Sequence, residues 1–224
     1  MSNAITEAVL IASAGMLSIG QILLMLLLLS SAGGFKKAVA YAAGMTGVLG
    51  AIGASALLLG TSRLAAGEGP EGPGLAAWGS LGLGVLLLFM AVRVWRTEPT
   101  AEAAVPKFMR SLDDAGPGRL LALGAVVGGA NVKNLAIYLA AVDVLVRARP
   151  TAAQGLGALA VVTAVFCLYL LVPLGIYLLG GRRAEPVLAA LRRALEKHHR
   201  PLSLGVLVVF GIAFGARGVH LLAG

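Results

Sequence analysis

Asn131-Val132-Lys133-Asn134 is a polar tetrad inside an apolar stretch that runs from Leu120 to about Val146. A lysine near the middle of a membrane-length helix costs at least about 2.5 kcal/mol, so it persists only with a partner, a watery cavity or a bound ligand. Lys133 offers a positive charge for an anionic head group, whether phosphate or carboxylate, or a barrier against cations. The amides of Asn131 and Asn134 offer donors and acceptors for backbone groups that a helix break sets free. Gly128 and Gly129, just upstream, let the chain leave helical geometry and are expected to form the break. The competing reading is that Lys133 only ties helices together, through Asp143, an asparagine or backbone carbonyls. Asp143 lies ten residues on, about 15 Å along a straight helix, and is therefore not a local partner.

Composition sets these residues in a membrane. Of 224 residues, 58% are hydrophobic and only 12% charged, with mean hydropathy +0.91. An ordinary soluble domain carries about twice that charged fraction. Six apolar runs are long enough to cross about 30 Å of hydrocarbon. They are Ala8 to Ser30, Ala38 to Gly60, Leu75 to Val92, Leu120 to Val146, Gly155 to Leu179 and Leu202 to Leu222. The first run lacks a basic leader and a clear processing site, and is expected to stay in the mature chain.

The net charge of +8 is an orientation signal. Thirteen Lys and Arg fall in the odd loops between runs, including Lys36, Lys37, Lys107, Arg110 and the cluster from Arg182 to Arg200, against three in the even loops. By the positive-inside rule the odd loops are cytoplasmic and both termini face outward. Nucleic acid is not an expected partner, because no soluble module or interleaved aromatic surface is present to bind it.

Three spans per half, with an outward amino terminus, put the second half in the membrane upside down relative to the first. Transporters with such inverted repeats hold their solute at mid-membrane, where helices are interrupted in corresponding places. The sequence has that feature. Ser18-Ile19-Gly20-Gln21 interrupts the first run much as Asn131 to Asn134 interrupts the fourth. The expected architecture is an all-α integral membrane protein of six transmembrane helices in two inverted three-helix repeats, about 4–96 and about 119–224. The expected solute site is Asn131, Lys133 and Asn134 facing Ser18, Gly20 and Gln21.

Other features take supporting roles. Pro173 in the fifth run is a candidate hinge. Gly44, Gly47, Gly50 and Gly53 recur at three-residue spacing and suit close helix packing; such faces also suit a homodimer. Residues 184–199 form a basic amphipathic helix expected on the inner membrane face, with Arg192, Arg193 and Lys197 as lipid head-group contacts. Adjacent His198 and His199 point different ways on a helix, so no metal site is expected. The lone Cys167 excludes an intrachain disulfide. No nucleotide phosphate loop is present, no cofactor is expected, and no nucleophile and base pair marks an enzyme.

At this point the chain resembles a known family. Phe108-Met109-Arg110-Ser111-Leu112-Asp113, then Pro117-Gly118-Arg119-Leu120, then Gly124 to Leu135 with Asn131-Val132-Lys133-Asn134-Leu135, are similar to the central segment of the GAP family of glycolipid-addressing proteins. That family, within the lysine-exporter superfamily, carries Asn-Pro-Lys-Asn-Leu in its fourth span. Here Val132 stands where the family usually has proline, and Ser18 to Gln21 stands where first spans usually read Ser-Pro-x-Pro. The resemblance implies export across the cytoplasmic membrane of a prokaryote, of envelope glycolipids in the nearest relatives and of amino acids elsewhere in the superfamily. The reading is a secondary exporter or flippase-like carrier of a lipid or amphipathic solute. The alternatives are a non-transporting scaffold subunit that docks envelope-lipid machinery, and an amino-acid exporter.

Overall fold

A computed structural model describes residues 2–13, 18–65, 74–96 and 115–223. Lys107, Arg110 and the Phe108 to Asp113 motif lie outside the described residues. The described residues are helical almost throughout. The helices are α1 (Ser2–Ser13), α2 (Ile19–Leu29), α3 (Gly34–Ala65), α4 (Gly74–Arg96), α5 (Pro117–Ala130), α6 (Val132–Arg147), α7 (Ala152–Phe166), α8 (Leu168–Gly180) and α9 (Glu185–Ala223), with a 3₁₀ turn at Gly181–Ala184 before the last.

Local chemistry explains the boundaries. Pro117 opens α5, where its missing N–H costs nothing. Thr151 and Gln154 close a reciprocal capping box at the start of α7. Gly33, at φ 68, makes the turn between α2 and α3, and a side chain on Gly34 would strike the carbonyls of Leu28 and Leu29.

The long apolar helices are those of a membrane protein. Among the described residues one helix, over Gly34–Ser62, is by itself long and apolar enough to cross a bilayer. The number rises to three if each of two bent pairs counts as one span: α5 with α6, bent by 69°, and α7 with α8, bent by 73°.

The two most extensive helix pairings are α4 with α9 and α3 with α5. Both use glycine to bring backbones together. A side chain on Gly44 would meet the Leu121 carbonyl, and one on Gly124 would meet the Tyr41 carbonyl. Gly84 lies against the backbone of Gly211 and Gly215, and Gly218 against Leu81. Close approach of this kind is how membrane helices gain van der Waals contact when lipid competes equally for apolar side chains. The three-residue glycine spacing of α3 is used only in part: Gly44 and Gly53 are packed, while Gly47 and Gly50 have open space where a Cβ would go.

Three expectations need correction in detail. Gly128 and Gly129 are not the break. Both lie within α5, with Gly128 packed on Val48 and Met45 of α3, and the helix ends only after Ala130. Pro173 is not at the bend either. It is buried inside α8, and the bend falls at Cys167. There the Thr163 hydroxyl donates to the Leu159 carbonyl at 2.8 Å, a back-bond that bends helices, and Phe166 packs edge-on against Tyr138 and Tyr169. Finally, the basic segment 184–199 is not separate from the last apolar run. Both belong to the single helix α9, with Pro201 inside it.

Candidate functional site

The site begins with two helix starts of the same form. Ser18 precedes α2 with φ −90 and ψ 77, and Asn131 precedes α6 with φ −78 and ψ 87. From each, the carbonyl accepts the first helical bond: Ile22 N–H to Ser18 at 3.0 Å, and Leu135 N–H to Asn131 at 2.8 Å. Register therefore makes Ser18 the counterpart of Asn131, Gly20 of Lys133, and Gln21 of Asn134.

The two starts meet. Asn134 Nδ2 donates to Gln21 Oε1 at 3.3 Å and reaches Ser18 Oγ at 3.5 Å. Asn134 is 1% exposed, Gln21 7% and Ser18 8%, so the contact is sealed on these faces. Periodicity delivers Asn134 to the interior, because Asn134, Ile137, Tyr138, Ala141, Val142 and Leu145 form one buried stripe of α6. Gln21 leads the corresponding stripe of α2 with Met25, Leu28 and Leu29.

The remaining predicted residues divide. Asn131 does not reach across; its Oδ1 accepts from the Asn134 N–H at 3.2 Å and caps its own helix. Gly20 is exposed between buried Ile19 and Gln21, and a Cβ there would meet nothing within 4 Å. Lys133 is half-buried and makes no hydrogen bond or ion pair among the described residues. Asp143, the partner in the competing reading, is taken by Arg147 at 2.7 Å.

Electrostatics at this place favour negative charge. The N-termini of α2 and α6 carry the positive ends of their helix dipoles, and Lys133 adds a full charge in the first turn of α6, where the dipole itself opposes a cation. An ammonium held against both an apolar setting and a helix dipole has no structural return in these contacts. The amide pair is also incomplete: Gln21 Nε2 and Asn134 Oδ1 are buried without partners among the described residues. Each such group costs about 1–3 kcal/mol when left unpaired.

Sequence reasoning missed the polar groups one layer deeper. Tyr138 and Thr163 share a hydrogen bond of 2.8 Å, Tyr169 donates to Met45 Sδ at 3.3 Å, and the Tyr41 hydroxyl is buried without a partner among the described residues. Tyr138 follows Asn134 by one helical turn, and that spacing was the available signal. Of the three head-group candidates, Arg193 and Lys197 are exposed on α9 and Arg192 is half-buried and partnered. His198 turns Nδ1 to the Ala194 carbonyl at 3.0 Å. No group of three metal-ligating side chains occurs among the described residues.

A family model described as Sap, sulfolipid-1-addressing protein, matches residues 9–220, which include both helix breaks. The chain belongs to that family. No curated protein and no solved structure matches it. Membership ties this Sap-family chain to proteins named for addressing a lipid, and its matched region contains every residue of the amide pair and Lys133.

Proposed function

We propose that this Sap-family chain is an exporter, working as a secondary carrier or flippase, that moves a lipid or other amphipathic solute across the cytoplasmic membrane past the Gln21–Asn134 pair. The observation that carries the reading is that pair, two interrupted helices joined at the same turn through buried amides whose Gln21 Nε2 and Asn134 Oδ1 find no partner among the described residues. A stable scaffold gains nothing from orphaned donors and acceptors at a break, whereas a transport site uses them when solute arrives.

The helix partners support an inverted repeat of six spans. If α1 with α2 is the first span and α5 with α6 the fourth, then α3 matches α7 with α8, and α4 matches α9. Under that matching the α3 and α5 contact has its counterpart in α7 and α1, and the α4 and α9 contact maps onto itself. Both termini then face outward and the clusters around Arg93 and Arg192 face inward, in keeping with the charge bias of the loops. Lys133 supplies the charge that draws a solute's anionic group to mid-membrane. Exposed Arg193 and Lys197 would gather anionic head groups at the inner surface.

Flux in proteoliposomes tests this reading against a docking subunit. Lys133→Ala is expected to insert and fold normally, because it removes no partner, yet to lose most of its flux. Full flux in Lys133→Ala, with loss only on altering the loops after α4 or α8, would instead identify a scaffold.

A further inference from the structure

Thr163 has a single hydroxyl hydrogen and gives it to the Leu159 carbonyl at 2.8 Å. In the 2.8 Å contact between the hydroxyls of Tyr138 and Thr163, Tyr138 is therefore the donor. Donation runs from α6 through both hydroxyls to the backbone of α7. Each bond in such a chain polarises the next, so the Tyr138 hydroxyl strengthens the Thr163 back-bond, the interaction that bends a helix. Tyr138 is 0% exposed and Thr163 6%, which keeps water from replacing the contact. Two neighbours hold the tyrosine there. Phe166 meets its ring edge-on at 5.3 Å, and α3 leaves room for the hydroxyl at Gly53, where a side chain would strike it.

Each end of this bond leads to an interruption. Tyr138 follows Asn134 by one turn on the buried stripe of α6, and Asn134 holds Gln21 of α2. Thr163 precedes Cys167 by one turn, and its carbonyl accepts the Cys167 N–H at 2.9 Å where α7 ends. We infer that Tyr138 is a positioning residue of the transport site. Its hydroxyl ties the turn after Asn134 to the 73° bend between α7 and α8, so that the break of α6 and this bend shift together. Apolar contacts alone would let α6 slide on α7 at little cost, because they have no direction. A hydrogen bond sealed from water fixes the rotation and register of both helices. The use of this link rests on the carrier reading above, whereas the link itself is measurable without flux.

Native Cys167, the one cysteine of the chain and 0% exposed, is a reporter placed at the bend. The test is its rate of labelling by N-ethylmaleimide in the full-length protein, in a neutral maltoside detergent well below the melting temperature. Tyr138→Phe keeps the ring and removes only the hydroxyl, and should raise the rate severalfold. Thr163→Val should raise it at least as much, Thr163→Ser should stay close to native, and Tyr138→Phe added to Thr163→Val should change little further. Asn134→Leu should raise the rate severalfold when Tyr138 is present and hardly at all in Tyr138→Phe, because the link is then already cut. Gly84→Ala, which forces a methyl against the Gly215 backbone in the α4 and α9 pair, controls for general loosening and should leave the rate near native. A native rate in Tyr138→Phe, a Thr163→Ser rate as high as that of Thr163→Val, or an Asn134→Leu effect independent of the Tyr138 hydroxyl would overturn the link. So would a Gly84→Ala rate matching that of Tyr138→Phe. Flux is not read here, so these outcomes leave the carrier reading to the separate Lys133→Ala measurement.

Discussion

Asn134 and Gln21, 113 residues apart in sequence, join through a single amide hydrogen bond of 3.3 Å, each as the third residue of a helix that begins in mid-chain. The bond has a specific energetic signature. Asn134→Leu should destabilise the protein by about 1–3 kcal/mol, because it leaves the whole Gln21 amide buried without a partner. Adding Gln21→Met should recover part of that loss while flux stays severalfold below that of the native protein, since both helix starts then lack their polar groups. Thermal unfolding in detergent, set beside flux in proteoliposomes, reads the two effects separately.

The glycines provide a contrast within one helix pair. Gly124→Ala drives a methyl into the Tyr41 carbonyl and should cost about 1–3 kcal/mol, as overpacking does. Gly47→Ala meets nothing within 4 Å and should be neutral or stabilising by up to about 1 kcal/mol through helix propensity. Equal effects of the two substitutions on melting temperature would contradict backbone-to-backbone packing of α3 and α5.

Arg217 interrupts the apolar run of α9, and its Nη1 lies 3.0 Å from Glu7 Oε1 on α1, two helices that otherwise hardly touch. The pair is partly exposed, with side chains 33% and 52% accessible, so screening limits its worth to about 1 kcal/mol or less. Glu7→Gln and Arg217→Gln should each lower stability by a few tenths of a kcal/mol up to about 1, and the swapped pair Glu7→Arg with Arg217→Glu should restore most of it. A double-mutant cycle in detergent measures the coupling directly.

Much of the site was legible because polarity is rare in this chain. Asn134, Ser18 and Gln21 stood out against leucine and alanine, and symmetry of the two interruptions pointed to their meeting. The mechanical details were not legible. Gly128 read as a break because glycine permits one, yet its small size serves the close contact with Val48 and Met45 on α3. Pro173 read as a hinge, but the bend lies where the Thr163 back-bond meets the Phe166 aromatic cluster, and such tertiary packing leaves no local trace. The continuity of α9 through Pro201 was masked by the change from basic to apolar residues on either side of it.

The most direct measurement holds the two helix starts together. Gln21→Cys and Asn134→Cys, in a Cys167→Ala background, are bridged in proteoliposomes by a short bifunctional methanethiosulfonate and then released by reduction. The expected result is efficient bridging, loss of flux in the bridged protein, and recovery of the residual double-mutant flux on reduction. Failure to bridge in the membrane, or undiminished flux while bridged, would contradict a transport path that runs between Gln21 and Asn134.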